Sequence, residues 1–185
     1  MQRHATNSVG TGTASGATSV TPSATAPLAL IGVQSRKMHG GFGPFYVPIA
    51  IGVALGGAVS VEPRISGTGH TIVFLFNGTV LAAGSASVTP VGSATVNSFS
   101  PNEVSVALTG VPDNNQVMVT LTGVTGAGGA SNASVALGFL AGDINGSRSV
   151  NAADIAAVKA NQGAPLNQST EIGRASCRER VFKDV

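Results

Sequence analysis

Two runs of strict alternation constrain this chain more than any other feature. In EVSVALTGV, Glu103–Val111, the side chains of Val104, Val106 and Leu108 fall on one face. In QVMVTLTGV, Gln116–Val124, Val117, Val119 and Leu121 fall on one face and Met118, Thr120 and Thr122 on the other. Successive side chains leave opposite sides of an extended backbone, so a period of two marks strands buried on one side. The turn-forming residues Pro112 to Asn115 lie between the runs, which predicts a hairpin over Glu103–Val124. Similar runs precede and follow: FYVPIAI (Phe45–Ile51), AVSVEP (Ala58–Pro63), HTIVFLFN (His70–Asn77, ending in an Asn-Gly turn at Gly78), SASVTPV, SATVNSF and ASVALGFL (Ala133–Leu140). Seven to eight strands at roughly ten-residue spacing predict a mainly β chain, folded as an antiparallel β-sandwich. Its two sheets would bury their Val and Leu faces against each other.

Composition agrees. Charged residues are 10% of the chain, aromatics 4%, and there are 25 glycines and no tryptophan. A chain so poor in Glu, Lys, Arg and Leu cannot build long helices, but short strands and glycine-rich turns suit it. No basic cluster lies in the body of the chain, so no nucleic-acid partner is expected. With Tyr46 as the sole tyrosine, an aromatic platform for sugars is missing as well. His39 to Glu62 encloses 22 residues without a formal charge, near the length that spans a bilayer. Pro44, Pro48 and repeated glycines argue instead for buried strands, and no membrane span is expected.

The ends read differently from the middle. Residues 1–27 are Thr, Ser, Ala and Gly with almost no bulky apolar side chain, and are predicted to be a disordered linker. They contain no apolar core of a signal peptide, so an exported protein would need sequence upstream. Residues 28–140 are the predicted sandwich, 141–166 a loop with a short helix, and 167–185 an unstructured tail. Within that tail EIGRASCRERV, Glu171–Val181, resembles the translation of a sequencing adapter, and 171–185 is read as non-native. It holds the one cysteine, four of the ten basic residues and three of the eight acidic ones. Without it the chain has no thiol, and so no disulfide framework.

Few residues in the body suggest catalysis. His39 and His70 are read as loop and strand-edge histidines, because no Ser, Cys or carboxylate pairs with them in sequence. Glu62 and Glu103 are the one conceivable carboxylate pair for glycoside hydrolysis, which needs two acids flanking the bond. Arg36, Lys37 and Arg64 are read as solvated strand-edge charges. The chain is expected not to be an enzyme.

GDINGSRSVNAADI, Gly142–Ile155, is where chemistry concentrates. Counting from Asp143, an EF-hand-type spacing takes ligands from the first, third, fifth, seventh, ninth and twelfth residues. These are Asp143, Asn145, Ser147, Ser149, Asn151 and Asp154, all oxygen-bearing and suited to calcium, with Ser149 contributing its carbonyl. Val150 is expected to pack into the core beneath the ion. DIAAVKANQG then predicts a helix with Ile155 and Val158 on its apolar face and Gly163 as its stop.

The stretch Gly142–Gly163 resembles the first half-repeat of a type I dockerin, in which a D-x-N-x-D-G-x-V-N-x-x-D loop runs into a short helix. The segments VQSRKMHGGFGPFYVPI and VEPRISGTGHTIVFLFNGTV are similar to Ig-like β-sandwich modules that precede such loops in bacterial secreted and surface proteins. The resemblance implies calcium as cofactor and an extracellular or cell-surface location. It implies a role in attachment or assembly, with ties to polysaccharide catabolism. The partner it implies is a cohesin-like module or a neighbouring domain of the same polypeptide. A structural stalk or adhesin fragment with a weak or vestigial calcium loop is the alternative. Three departures from the family pattern matter. Ser147 replaces an acidic or amide ligand, leaving two carboxylates and an expected calcium affinity of about 10⁻⁴ to 10⁻³ M. Arg148 stands where the turn glycine belongs, at an expected cost on the order of 1 kcal/mol. Ala152 and Ala153 occupy the positions that help choose the cohesin, and no second repeat follows.

Overall fold

The computed structural model describes residues 25–39, 41, 43–65 and 69–162, and the backbone of two short paired strands, β1 (Thr6–Asn7) and β2 (Gly10–Thr11). That pair lies within the segment expected to be linker. The expected tail and the Gly163 helix stop lie outside the described residues. The chain is mainly β, with two larger sheets and one short helix. Its strands are β3 (Leu30–Met38), β4 (Pro44–Ile49), β5 (Ser60–Glu62), β6 (His70–Phe76), β7 (Ser85–Thr89), β8 (Ser93–Ser100), β9 (Glu103–Thr109), β10 (Asn115–Gly126) and β11 (Gly129–Phe139). Helix α1 spans Ala152–Ala160.

One sheet has five strands in the order β4-β3-β6-β9-β8, and the other has four in the order β5-β11-β10-β7. Their inner faces meet in one apolar cluster. Val33, Phe74, Val104, Val106 and Leu108 enter it from the first sheet, and Val117, Val119, Leu121, Val135 and Leu137 from the second. The alternation read in the sequence is the inward face of each strand: Val104, Val106, Val117, Val119 and Leu121 are fully buried. Burying such a side chain stabilises the fold by roughly 1.5–3 kcal/mol.

Three expectations are corrected. Glu103–Val124 is not a hairpin: β9 pairs with β6 and β8, whereas β10 pairs with β11 and β7, so residues 110–114 cross from one sheet to the other. The sheets are not wholly antiparallel, because β5 pairs parallel to β11 with Ser60 opposite Leu137 and Glu62 opposite Phe139. And β3 is a strand that the sequence patterning passed over. It lies between β4 and β6, with Arg36 beside Tyr46 of β4.

The arginines are not solvated edge charges. Arg36 donates to both carboxylate oxygens of Glu103, at 3.1 and 2.7 Å, with its guanidinium 5.3 Å from the Tyr46 ring centroid. Arg64 is only 2% exposed and is paired with Glu62. Its Nη1 donates to Phe45 O at 3.3 Å, and its Nη2 to Ser35 O at 3.0 Å and Ser35 Oγ at 3.2 Å. Glu62 belongs to the four-stranded sheet, and Ser35 and Phe45 to the five-stranded one, so this guanidinium bridges the two. Lys37 Nζ donates to Ile65 O. His39 to Glu62 forms β4, a glycine-rich loop and β5, and among the described residues no helix is long and apolar enough to cross a membrane.

The sheet edges are blunted by other means. Strand β4 carries Pro44 and Pro48, β5 has three residues, β7 has five and ends before Pro90, and β8 is bulged between Val96 and Ser98.

Candidate functional site

The loop grows out of the end of β11. Leu140 N donates to Glu62 O at 3.3 Å and Gly142 N to Pro63 O at 3.0 Å, so the residues after β5 guide the chain into it. Gly142 turns the backbone with φ at +93°. Asp143 follows, with 1% of its surface exposed.

The Asp143 carboxylate organises the next turn. Its Oδ1 accepts from Ser147 N at 2.9 Å and its Oδ2 from Arg148 N at 2.7 Å. Asn145 Oδ1 also accepts from Ser147 N, at 2.9 Å. Ser147 Oγ lies 3.5 Å from Asp143 Oδ1 and 3.1 Å from Ser149 O. Oxygen atoms of Asp143, Asn145, Ser147 and Ser149 therefore gather around one residue. Arg148 adopts φ +66°, in the left-handed region that favours glycine. Its Nη1 donates to Gly57 O at 3.1 Å, which ties the turn to the glycine-rich loop ahead of β5.

Asp154 closes the loop from the other side. Its Oδ2 accepts from Asn151 N at 2.8 Å, while Asn151 Oδ1 accepts from Ala153 N at 2.8 Å. This reciprocal capping box starts α1. Asp154 Oδ1 also accepts from Ile144 N at 2.8 Å and Asn145 N at 3.2 Å. These backbone N–H groups, that of Asn151 foremost, favour the charged carboxylate and hold its pKa below the usual value. Of the six residues singled out in the sequence, Asn151 thus has its amide oxygen committed to the helix cap. The remaining oxygens are hard donors of the kind calcium takes, with two carboxylates among them. No set of three His, Cys, Asp or Glu side chains gathers around a metal-sized space among the described residues.

Compared with protein-family models, curated proteins and solved structures, the chain matches none. The meaning of the loop therefore rests on its own residues and geometry.

One apolar expectation fails there. Val150 is not packed into the core; it is 54% exposed, and its Cγ1 lies over Gly142, where a Cβ would come within 3.6 Å. Ile155, 58% exposed, and Val158, half-buried, do fall on one face of α1 as expected. With Ile65, Ile144 and Pro63 they line a groove of about 330 Å³ between α1 and the residues that follow β5.

The other candidate side chains are otherwise engaged. Glu62 and Glu103 each face an arginine, as described above. The His39 ring meets Phe45 edge-on at 5.1 Å. His70 opens β6, and its ring lies 4.4 Å from that of Phe139. It borders a cavity of about 280 Å³ shared with Glu62, Arg64 and Asp113. Burial lowers its pKa to about 4. The Glu62–Arg64 pair itself escaped sequence reading. Its signal was present in VEPR: residues two apart on an extended chain share a face, so a Glu and an Arg flanking one proline are placed to pair.

Proposed function

We propose that this chain is a non-catalytic module of a secreted or cell-surface bacterial polypeptide. In this reading its two-sheet body is an Ig-like β-sandwich, and its C-terminal loop is a dockerin-type calcium site used for attachment or assembly. The observation that carries the reading is the gathering of Asp143, Asn145, Ser147 and Ser149 oxygens around one turn, with Asp154 closing the loop. The donor chemistry fits: oxygen ligands, two of them anionic, with a backbone already held in the left-handed turn at Arg148. Bound calcium would supply the positive charge that offsets Asp143 and Asp154. The chain's own part is to orient those carboxylates through the amides of Ser147, Arg148, Ile144 and Asn151, and to hold α1 by its cap. A cohesin-like module is the partner that the resemblance implies.

Calorimetric titration of the full chain with calcium, read alongside amide shifts, tests this. Saturable binding with the largest shifts in residues 142–162, abolished by Asp143→Ala, is expected. No heat and no shifts up to millimolar calcium would overturn it.

A stalk or adhesin role is the second reading, favoured by the bonds from Gly142 to Pro63 and from Arg148 to Gly57, which fix the loop against the body. Capture by immobilised cohesins supports assembly; calcium binding without capture supports the stalk.

A further inference from the structure

Strand β5 is three residues long, at the short end of the range for strands. The loop region grips it at both ends. Ahead of β5, Gly57 O accepts from the Arg148 guanidinium. Behind it, Glu62 O and Pro63 O accept from Leu140 N and Gly142 N, the residues leading to Asp143. The side chain of Glu62 turns the other way and holds Arg64, which is bonded to Ser35 and Phe45 in the opposite sheet. Hydrogen bonds and the short backbone segments between them thus lead from the turn around Asp143, through β5, to the arginine that joins the two sheets.

We propose that the loop and the two-sheet body unfold as one cooperative unit joined through β5, and that occupancy of the loop by calcium is thereby transmitted to the Glu62–Arg64 clamp. The calcium half of this rests on the functional reading above; the coupling half does not. A ligand that binds only the folded state raises the folding constant by one plus its concentration over Kd, so calcium at ten times Kd raises it about tenfold. The gain reaches the sheets only if they unfold together with the loop. A loop that opens by itself would keep the whole benefit local. Arg148 acts here as a positioning residue: its side chain anchors the turn to the loop ahead of β5.

The chain carries its own reporter. Tyr46, the one tyrosine in a sequence without tryptophan, sits on β4 next to Phe45, whose carbonyl receives Arg64. Thermal unfolding of the full chain, followed by tyrosine fluorescence and near-ultraviolet circular dichroism, should show a midpoint that calcium raises. Without calcium, Asp143→Ala and the milder Arg148→Ala should each lower that midpoint, and Asp143→Ala should erase the calcium response. If both variants leave the Tyr46 midpoint unchanged, or if calorimetry shows calcium bound while that midpoint stays put, the coupling is refuted. Lowered midpoints with no calorimetric binding would sustain the coupling and reject the calcium reading.

Discussion

Arg64 holds Glu62 through two hydrogen bonds of 2.7 Å each, one from Nε to Oε1 and one from Nη2 to Oε2, with both side chains 1% exposed. A pair so dry is costly to break, because the surviving partner keeps its charge in a medium that cannot solvate it. Glu62→Gln leaves the guanidinium without its anion and is expected to destabilise the fold by about 3–5 kcal/mol. Removing both charges, as Glu62→Gln with Arg64→Met, should cost less than Arg64→Met by itself. Urea unfolding of the three variants measures the difference, and a double variant no more stable than the single arginine variant would show that the pairing adds nothing.

The same pair sets an acid limit. Burial pushes the Glu62 carboxyl up, but the hydrogen bonds and charge of Arg64 outweigh it and hold the pKa below the ordinary value. Its contribution to stability is thus present above the unfolded-state pKa, near 4.3, and lost as pH falls below it.

His70 brings instability in at a higher pH. Burial lowers its pKa to about 4; Glu62 and Asp113 pull upward, while Lys37 and Arg64 push down. The folded state binds the proton less well than the unfolded chain does. Stability from a neutral His70 is therefore complete above about pH 6.5 and is lost as pH falls toward 4. The loss amounts to on the order of 3–4 kcal/mol, since every tenfold drop in proton affinity on folding corresponds to about 1.4 kcal/mol. His70→Gln should flatten the stability profile between pH 6.5 and 4 and leave the Glu62 limb below it. Denaturation midpoints measured at closely spaced pH values decide the matter; an unaltered profile in His70→Gln would assign the acid loss elsewhere.

Gly84 opens β7 against β10 in a backbone that tolerates no side chain. Its φ is +67°, and a Cβ there would stand 2.1 Å from Thr122 O and 2.7 Å from the Gly123 carbonyl carbon. Both obstacles are backbone, so no rotamer change relieves them. Gly84→Ala combines a left-handed non-glycine conformation with a steric clash, and is expected to cost about 2–4 kcal/mol. Gly123→Ala also sits at positive φ, +75°, but meets nothing within 4 Å and should cost only about 1 kcal/mol. Equal losses in the two would mean that the close approach at Gly84 is not what matters.

How much of this was legible in the sequence depended on which question was asked. Alternation decides which face of a strand is buried, and Val104 through Leu121 can be placed inward because a one-residue slip would expose them all. It says nothing about which strand lies alongside. Pro112 to Asn115 suit a tight hairpin as well as a crossing between sheets, and the crossing is what occurs. Strand β3 escaped because LIGVQSRKM carries a glycine and two cations, and those charges are held in the sheet by partners distant in sequence, among them Glu103 for Arg36 and Ile65 for Lys37. The loop was legible as a spacing because its chemistry is local: Asp143, Asn145, Ser147 and Ser149 act within one turn. The cover of α1 was not, because an apolar stripe at Ile155 and Val158 shows that a helix face prefers burial, not what will bury it.

Ser147 is where the gathered oxygens of the loop can be tested by addition. Its Oγ lies 3.5 Å from Asp143 Oδ1 and its residue is exposed, so Ser147→Asp places a second carboxylate against the first. Without calcium the two charges repel, and the variant should lose on the order of 1 kcal/mol of stability, the size of a Coulomb interaction near 4 Å in water. If the loop holds calcium as proposed, the sign reverses with the ion bound. A third anionic ligand is expected to tighten binding about tenfold or more, or roughly 1.4 kcal/mol, so the variant should overtake the parent chain in thermal stability once calcium is saturating. Arg148→Gly separates the other departure. Relief of the +66° conformation gains on the order of 1 kcal/mol, against loss of one exposed hydrogen bond to Gly57 worth about the same, so stability should change little. Calorimetric titration beside melting curves with and without chelator reads both variants. If Ser147→Asp destabilises the chain equally with and without calcium, the gathered oxygens do not bind the ion, and the loop is a capped turn that owes its shape to the amides around Asp143 and Asp154.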